Sequence, residues 1–209
     1  MSNQKSHLLV VEDIPDILKL LEATLTFKGH RVVTARNREE ALEAMERERP
    51  VLIITDILMP KMDGFSLVHR LRINPETRDI PVVFLSATYV APEDKAFALT
   101  IGVTRFIEKP VALNEFVPII EKLLEQGAPA PQETINDIDF YDGYRKRLEI
   151  KLNQKITQIA RDERLLETLS EEEKASFRTS LQLAISEREE IQKLLDQIDE
   201  QVEKFSKPD

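Results

Sequence analysis

The chain has 209 residues, with 29 Lys and Arg against 38 Asp and Glu, a formal net charge of −9, and no cysteine. At about 150 residues per domain, that length allows one large domain or two small ones. The acidic balance disfavours a broad nucleic-acid or anionic-membrane surface, and the missing thiols remove disulfides, thiol catalysis and Cys-ligated metals.

Segments 1–7 and 8–126 carry the first signals. Met1 to His7 is polar and lacks the apolar stretch of a signal peptide, and no later apolar run approaches the ~18 residues needed to cross a membrane. A cytoplasmic location is therefore expected. Short apolar runs recur at Leu8–Val11, Arg31–Thr34, Val51–Thr55, Pro81–Leu85 and, more weakly, Thr104–Ile107. Such runs suit strands buried on both faces. Helical patterns lie between them. Ile14, Ile17, Leu18, Leu21 and Leu25 share one helix face, with Gly29 as a stop. Asn37 and Glu40 have the spacing of a capping box. Further helices are expected after Gly64, Pro92 and Asn114. Pro118 must either delay or bend the last of these. Alternating strands and helices predict an α/β domain with a parallel sheet and helices on both faces.

In open α/β sheets, ligands sit at the carboxyl ends of the strands. Strand one ends in Glu12-Asp13, strand three at Asp56, strand four at Ser86-Ala87 and strand five at Lys109-Pro110. One aspartate at a strand end is usually a cap or a solvated turn residue. Three carboxylates, a hydroxyl and an ammonium at four strand ends form a constellation. The carboxylates repel one another unless a cation neutralises them, and an all-oxygen set points to Mg²⁺ rather than Zn²⁺. Lys109 and Ser86 offer a positive charge and a hydrogen bond to a developing anion. The set suits phosphoryl transfer to a carboxylate.

Leu8-Leu9-Val10-Val11-Glu12-Asp13, Thr55-Asp56-Ile57-Leu58-Met59-Pro60-Lys61-Met62-Asp63-Gly64, Ser86-Ala87 and Lys109-Pro110 resemble the receiver domain of two-component response regulators. The resemblance covers about residues 6–126. It implies a flavodoxin-like, doubly wound, five-stranded parallel sheet in order 2-1-3-4-5. It also implies that Asp56 is the phosphoacceptor, and that Glu12, Asp13, Asp56 and the main-chain carbonyl of Leu58 hold Mg²⁺. By the same resemblance Lys109 pairs with phosphoryl oxygens, Ser86 bonds to one of them, and Phe106 is the aromatic switch residue. Ser86 stands where Thr is commoner, and Phe106 where Tyr is common, so no phenol is available for an output contact. Met59 to Gly64 reads as a turn, with Gly64 freeing the backbone before a helix. The histidines His7, His30 and His69 read as surface or packed residues.

Gln126-Gly127-Ala128-Pro129-Ala130-Pro131 is a breaker cluster. The expected organisation is a receiver at 1–126, a linker at 127–135 and a long-helix module at 136–209. From residue 132 onward the net charge is −6 and there is no histidine. Phe177, Leu181, Ala184, Arg188, Ile191, Leu195, Ile198, Val202 and Phe205 are spaced alternately four and three apart, a heptad seam. Arg188 there could fix register or snorkel to solvent. Leu148, Leu152, Ile156, Ile159, Leu166 and Leu169 give a second seam, with one position skipped. Ser170 and Glu173 form a capping box that starts a new helix near Glu171. Two helices follow, about 138–168 and 171–206, as an antiparallel hairpin or as part of a parallel coiled coil. Two helices alone bury little, so a second hairpin from another subunit is expected, completing a four-helix bundle that Ile191→Asp with Ile198→Asp should dissociate.

The functional expectation is a phosphorylation-controlled response regulator. A histidine kinase is the donor, and Mg²⁺ the cofactor. Self-phosphorylation and autodephosphorylation are its only enzymatic chemistry. A homodimer through the C-terminal helices contacts a downstream protein that the sequence does not name, with neither nucleic acid nor membrane as partner. The alternatives are a phosphorelay intermediate or phosphate sink, and a transcription regulator with an atypical DNA-binding output.

Overall fold

A computed structural model of the chain describes residues 6–57, 64–87, 91–126, 135–168 and 171–206, with the side chains of 171–173, 175–176 and 204–206 left aside. Two compact units emerge, Met1–Ile135 and Asn136–Asp209. The expected linker, 127–135, falls almost wholly outside the described residues, as do Leu58 to Asp63 and Ser170 with its capping box.

The first unit alternates strictly: β1 (His7–Val11), α1 (Pro15–Phe27), β2 (Arg31–Ala35), α2 (Arg38–Arg47), β3 (Leu52–Asp56), α3 (Gly64–Ile73), β4 (Val82–Ser86), α4 (Pro92–Thr100), β5 (Arg105–Glu108) and α5 (Leu113–Gln126). The strands form one parallel sheet in the order β2-β1-β3-β4-β5. Every residue of β1, β3 and β4 is buried, whereas edge strands β2 and β5 are partly exposed. That is the reason the three central runs are continuously apolar. One side of the core gathers Leu8, Val10, Leu52, Ile54, Val83 and Leu85 from the strands against Leu18, Leu21 and Leu25 of α1 and Phe116, Val117 and Ile120 of α5.

Local signals set the helix ends. Asn37 accepts a hydrogen bond from the Glu40 amide at 2.9 Å, and Glu40 reaches back to the Arg36 amide at 2.8 Å, one residue before the partner a capping box normally takes. Gly29, at φ 89°, adopts the left-handed conformation that stops α1. Pro118 does not delay α5. The helix starts at Leu113 and runs through it to Gln126.

The second unit is two helices, α6 (Asp137–Leu166) and α7 (Glu171–Ser206). The Asn136 side chain caps α6 by accepting from the Asp139 amide at 2.9 Å. Arg145 pairs with Asp199 at 2.8 Å and Lys155 with Glu187 at 2.6 Å. Residue numbers rise along one helix as they fall along the other, so the pair is an antiparallel hairpin. Ala184, Ile191, Leu195 and Ile198 of the α7 seam are buried within this hairpin. Ile191 and Ile198 are 1% and 4% exposed in the single chain, so the hairpin already covers them. Arg188 keeps 39% of its side chain in solvent beside Glu189, and so leaves the seam rather than filling it. On α6 the buried positions are Phe140, Tyr144, Leu148, Ile159 and Asp162, while Ile156 is 47% exposed. Lys155, half-buried through its pair with Glu187, takes the place expected for Ile156.

No helix among the described residues is long and apolar enough to cross a membrane. Because Ile191 is buried inside one hairpin, Ile191→Ala should destabilise that hairpin by about 2–5 kcal/mol, the cost of truncating a buried Ile. The check is an earlier loss of helical circular dichroism in a urea titration.

Candidate functional site

The site forms where the carboxyl ends of β1, β3, β4 and β5 converge. Val11 pairs with Thr55 and Asp56 with Leu85, so Glu12, Asp56 and Ser86 leave neighbouring strands at one edge. The Glu12 amide extends the ladder by one bond, to the Ala35 carbonyl at 3.1 Å. The Lys109 amide donates to the Ser86 carbonyl at 2.8 Å, which ties the segment after β5 to the end of β4. The Lys109-Pro110 peptide is cis.

These backbone restraints aim one ammonium at two carboxylates. Lys109 Nζ lies 2.8 Å from Glu12 Oε2 and 2.9 Å from Asp56 Oδ2. Glu12 is fully buried, and Asp56 is 8% exposed. The other Asp56 oxygen accepts from the Ile57 amide at 2.7 Å, and the other Glu12 oxygen from the Ile14 amide at 3.3 Å. Asp13 is half-buried beside them. One oxygen from each of Glu12, Asp13 and Asp56 falls within 4.8 Å of the others.

Three carboxylates therefore face a single lysine. Burial pushes the Glu12 carboxyl above the usual range, and the Asp56 charge adds to that rise against the opposing hydrogen bond from Lys109. The Asp13 carboxyl is likewise raised, first by burial and then by the Asp56 charge. Burial works to lower the Lys109 ammonium, but the Asp56 and Glu12 carboxylates together outweigh it and hold the lysine above its ordinary value. The cluster has more negative charge than it neutralises and offers only oxygen donors. A hard divalent cation of the Mg²⁺ type fits both conditions.

Gly64 has a role different from the one its sequence suggests. A Cβ at this position would lie 2.6 Å from the Asp56 carbonyl oxygen and 3.2 Å from the Phe84 ring. Its amide donates to the Ile57 carbonyl at 2.7 Å. Glycine is needed here for close approach to the strand that carries Asp56, a contact between residues eight apart that no local turn signal encodes.

Ser86, 2% exposed, ends β4 within this crevice. Phe106 lies on β5, half-buried, with its ring edge-on to Phe84 at 6.4 Å. Lys95 Nζ sits 5.8 Å from the Phe106 centroid and pairs with Glu108. This bridge from α4 over β5 was not legible in the sequence, because 13 residues separate the partners. Leu58, whose carbonyl the resemblance assigns to the metal, lies outside the described residues.

Comparison with known proteins shows the family of the first unit. The family model for the response regulator receiver domain matches residues 8–121, and the chain belongs to that family. Probable transcriptional regulator ycf27 of Pyropia yezoensis is 33% identical over 176 residues, covering 81% of this chain and 71% of that protein. Transcriptional regulatory protein GlrR of Escherichia coli K12 is 40% identical over 134 residues, covering 64% of this chain and only 29% of that protein. Among solved structures, the receiver domain of a signal transduction histidine kinase from Syntrophus aciditrophicus matches with a TM-score of 0.54 at 34% identity. That match covers 63% of this chain and 97% of the domain.

The raised carboxyls make a pH prediction. A carboxyl with a raised folded-state pKa favours the folded form at low pH, and that contribution is lost as pH rises from its ordinary value through the raised one. Without a divalent cation, Glu12 and Asp13 should therefore make the receiver less stable as pH rises above the ordinary values of 4.5 and 3.8. Mg²⁺ should restore that stability at neutral pH. Asp13→Asn should weaken both the loss and the restoration, as read in urea midpoints with Mg²⁺ or EDTA. A second expectation concerns Gly64→Ala, which should cost about 1–3 kcal/mol by overpacking against β3, measured in the same titration.

Proposed function

We propose that the protein is a phosphorylation-controlled response regulator of the cytoplasm, which accepts a phosphoryl group on Asp56 from a histidine kinase. The observation that carries this reading is the Lys109 ammonium held within 3 Å of both Asp56 and Glu12 at the strand ends. A carboxylate oxygen of Asp56 attacks the phosphorus of the donor. The bond between phosphorus and the donor imidazole breaks, and the histidine leaves. Water later cleaves the acyl phosphate and releases inorganic phosphate, returning the carboxylate.

Glu12, Asp13 and Asp56, with the Leu58 carbonyl by resemblance, would hold Mg²⁺, which supplies positive charge to the phosphoryl oxygens. Lys109 exchanges part of its contact with Asp56 for a phosphoryl oxygen. Ser86 donates its hydroxyl to another. Phe106 then changes its packing against Phe84, which carries the change to the α4–β5 face under the Lys95–Glu108 pair.

The hairpin unit holds no histidine and, among the described residues, no second cluster of metal-ligating side chains. Its output in this reading is contact with protein, as a homodimer. A second reading, transcription regulation, draws on the names of the ycf27 and GlrR proteins. Long acidic helices argue against it, because a DNA reader presents a basic recognition helix. A salt-dependent gain of affinity for duplex DNA would favour the second reading over the first.

Asp56→Asn keeps the side-chain size and removes the nucleophile. It should abolish labelling by acetyl phosphate or by a phosphorylated kinase, measured on a gel that separates phosphoprotein. Labelling at the wild-type level would remove Asp56 as acceptor. Lys109→Ala should retain Mg²⁺ binding but lose the phosphorylation-dependent change in fluorescence or exchange protection.

A further inference from the structure

The three central strands hold few polar side chains. His7 lies at the far end of the sheet, and Asp56 and Ser86 belong to the site. Thr55 is the fourth, and it is fully buried. Its neighbours across the sheet, Val11 on β1 and Phe84 on β4, are apolar. Packing alone asks for an apolar residue here. Valine has nearly the same shape, favours strands equally and brings no hydroxyl that must find a partner.

The hydroxyl donates forward along the chain, to the Asp56 carbonyl oxygen at 2.9 Å. Thr24, Thr100 and Thr157, by contrast, each bond to the carbonyl four residues earlier in their own helix, the ordinary local outlet for a threonine. The Asp56 carbonyl and the Ile57 amide belong to one planar peptide unit. That amide donates to Asp56 Oδ1 at 2.7 Å. The unit is therefore held at both ends, by the Thr55 hydroxyl at its oxygen and by the Asp56 carboxylate at its N–H. It cannot turn away from Oδ1 without also breaking the bond from Thr55. A hydrogen bond accepted at the carbonyl polarises the N–H of the same unit and strengthens its bond to the carboxylate. Oδ2 is left to Lys109, whose Nζ lies 2.9 Å away.

We infer that Thr55 is a positioning residue for phosphoryl transfer: its hydroxyl, acting through the Asp56–Ile57 peptide, holds Oδ1 and presents Oδ2, on the Lys109 side, as the attacking oxygen. Thr55 touches neither the donor nor the reacting oxygen. It fixes the orientation of the nucleophile, and attack on phosphorus needs that orientation because the reacting atoms must align. The inference rests on Asp56 as the phosphoacceptor and names what aims it.

The test is labelling of the full chain by acetyl phosphate with saturating Mg²⁺, followed as the maximal rate and the half-saturating donor concentration. Thr55→Val keeps the branched shape and removes the hydroxyl. Its maximal rate should fall about three- to tenfold, the scale of one hydrogen bond's net contribution, with the half-saturating concentration within about twofold of wild type. Thr55→Ser keeps the hydroxyl and should hold the rate within about twofold of wild type. In NMR spectra the Ile57 amide proton should move upfield in Thr55→Val and stay near its wild-type position in Thr55→Ser. A role in packing alone predicts the reverse order, with Thr55→Val like wild type and Thr55→Ser, which loses a methyl, the defective variant. Should Thr55→Val not fold, as read by circular dichroism, Thr55→Ala against Thr55→Ser makes the same comparison, since both lose the methyl and only the first loses the hydroxyl. A Thr55→Val that labels at the wild-type rate would overturn the role of Thr55, as would a Thr55→Ser as slow as the variant without a hydroxyl. Asp56 stands as acceptor in both cases if Asp56→Asn is unlabelled. Labelling of Asp56→Asn at the wild-type level would overturn the acceptor reading and this inference with it.

Discussion

One ammonium set between two carboxylates governs the receiver. Glu12 and Asp56 stand on adjacent strands, and their charges would drive those strand ends apart without Lys109 between them. The lysine comes from 97 residues beyond Glu12 and 53 beyond Asp56. Only a sheet with β1, β3, β4 and β5 in that order, all pointing the same way, brings the three groups to one edge. The site is thus a consequence of topology. The hydrogen bond from the Lys109 amide to the Ser86 carbonyl fixes where the lysine begins, and the two carboxylates fix where it ends.

That arrangement needs strands that do not give. β1, β3 and β4 are buried along their whole length, and α1 and α5 press on one face through leucines together with Phe116, Val117 and Ile120. Gly64 lets α3 approach the backbone of Asp56 more closely than any side chain would allow. The third carboxylate, Asp13, is left unneutralised by the protein itself. Burial, with the Asp56 charge added to it, holds the Glu12 and Asp13 carboxyls above their ordinary range, and a hard divalent cation fits such an all-oxygen set.

Much of this was legible because the receiver obeys local rules. Continuous apolar runs reported strands buried on both faces, and all five appear within a residue or so of where the runs lie. Polar residues at their ends reported the crevice: any one of Glu12, Asp56 and Lys109 reads as a cap or a turn residue, and their recurrence at several strand ends marks a site. Contacts between residues distant in sequence were not legible. The approach of Gly64 to Asp56 and the Lys95–Glu108 bridge over Phe106 depend on how helices settle on the sheet. The α7 heptad was read as a seam, and α6 of the same chain covers its buried positions; periodicity tells which face is covered and not by which element. Ile156 shows the same limit: Lys155 takes the covered position next to it, held there by Glu187.

The hairpin spends its apolar seam internally. Ile191, Leu195 and Ile198 bury against α6, so any further association must use what remains. What remains among the described residues is a narrower strip at Leu152 and Ile156. A strip of this kind would make a weaker interface than a full heptad seam, since fewer apolar side chains would leave water.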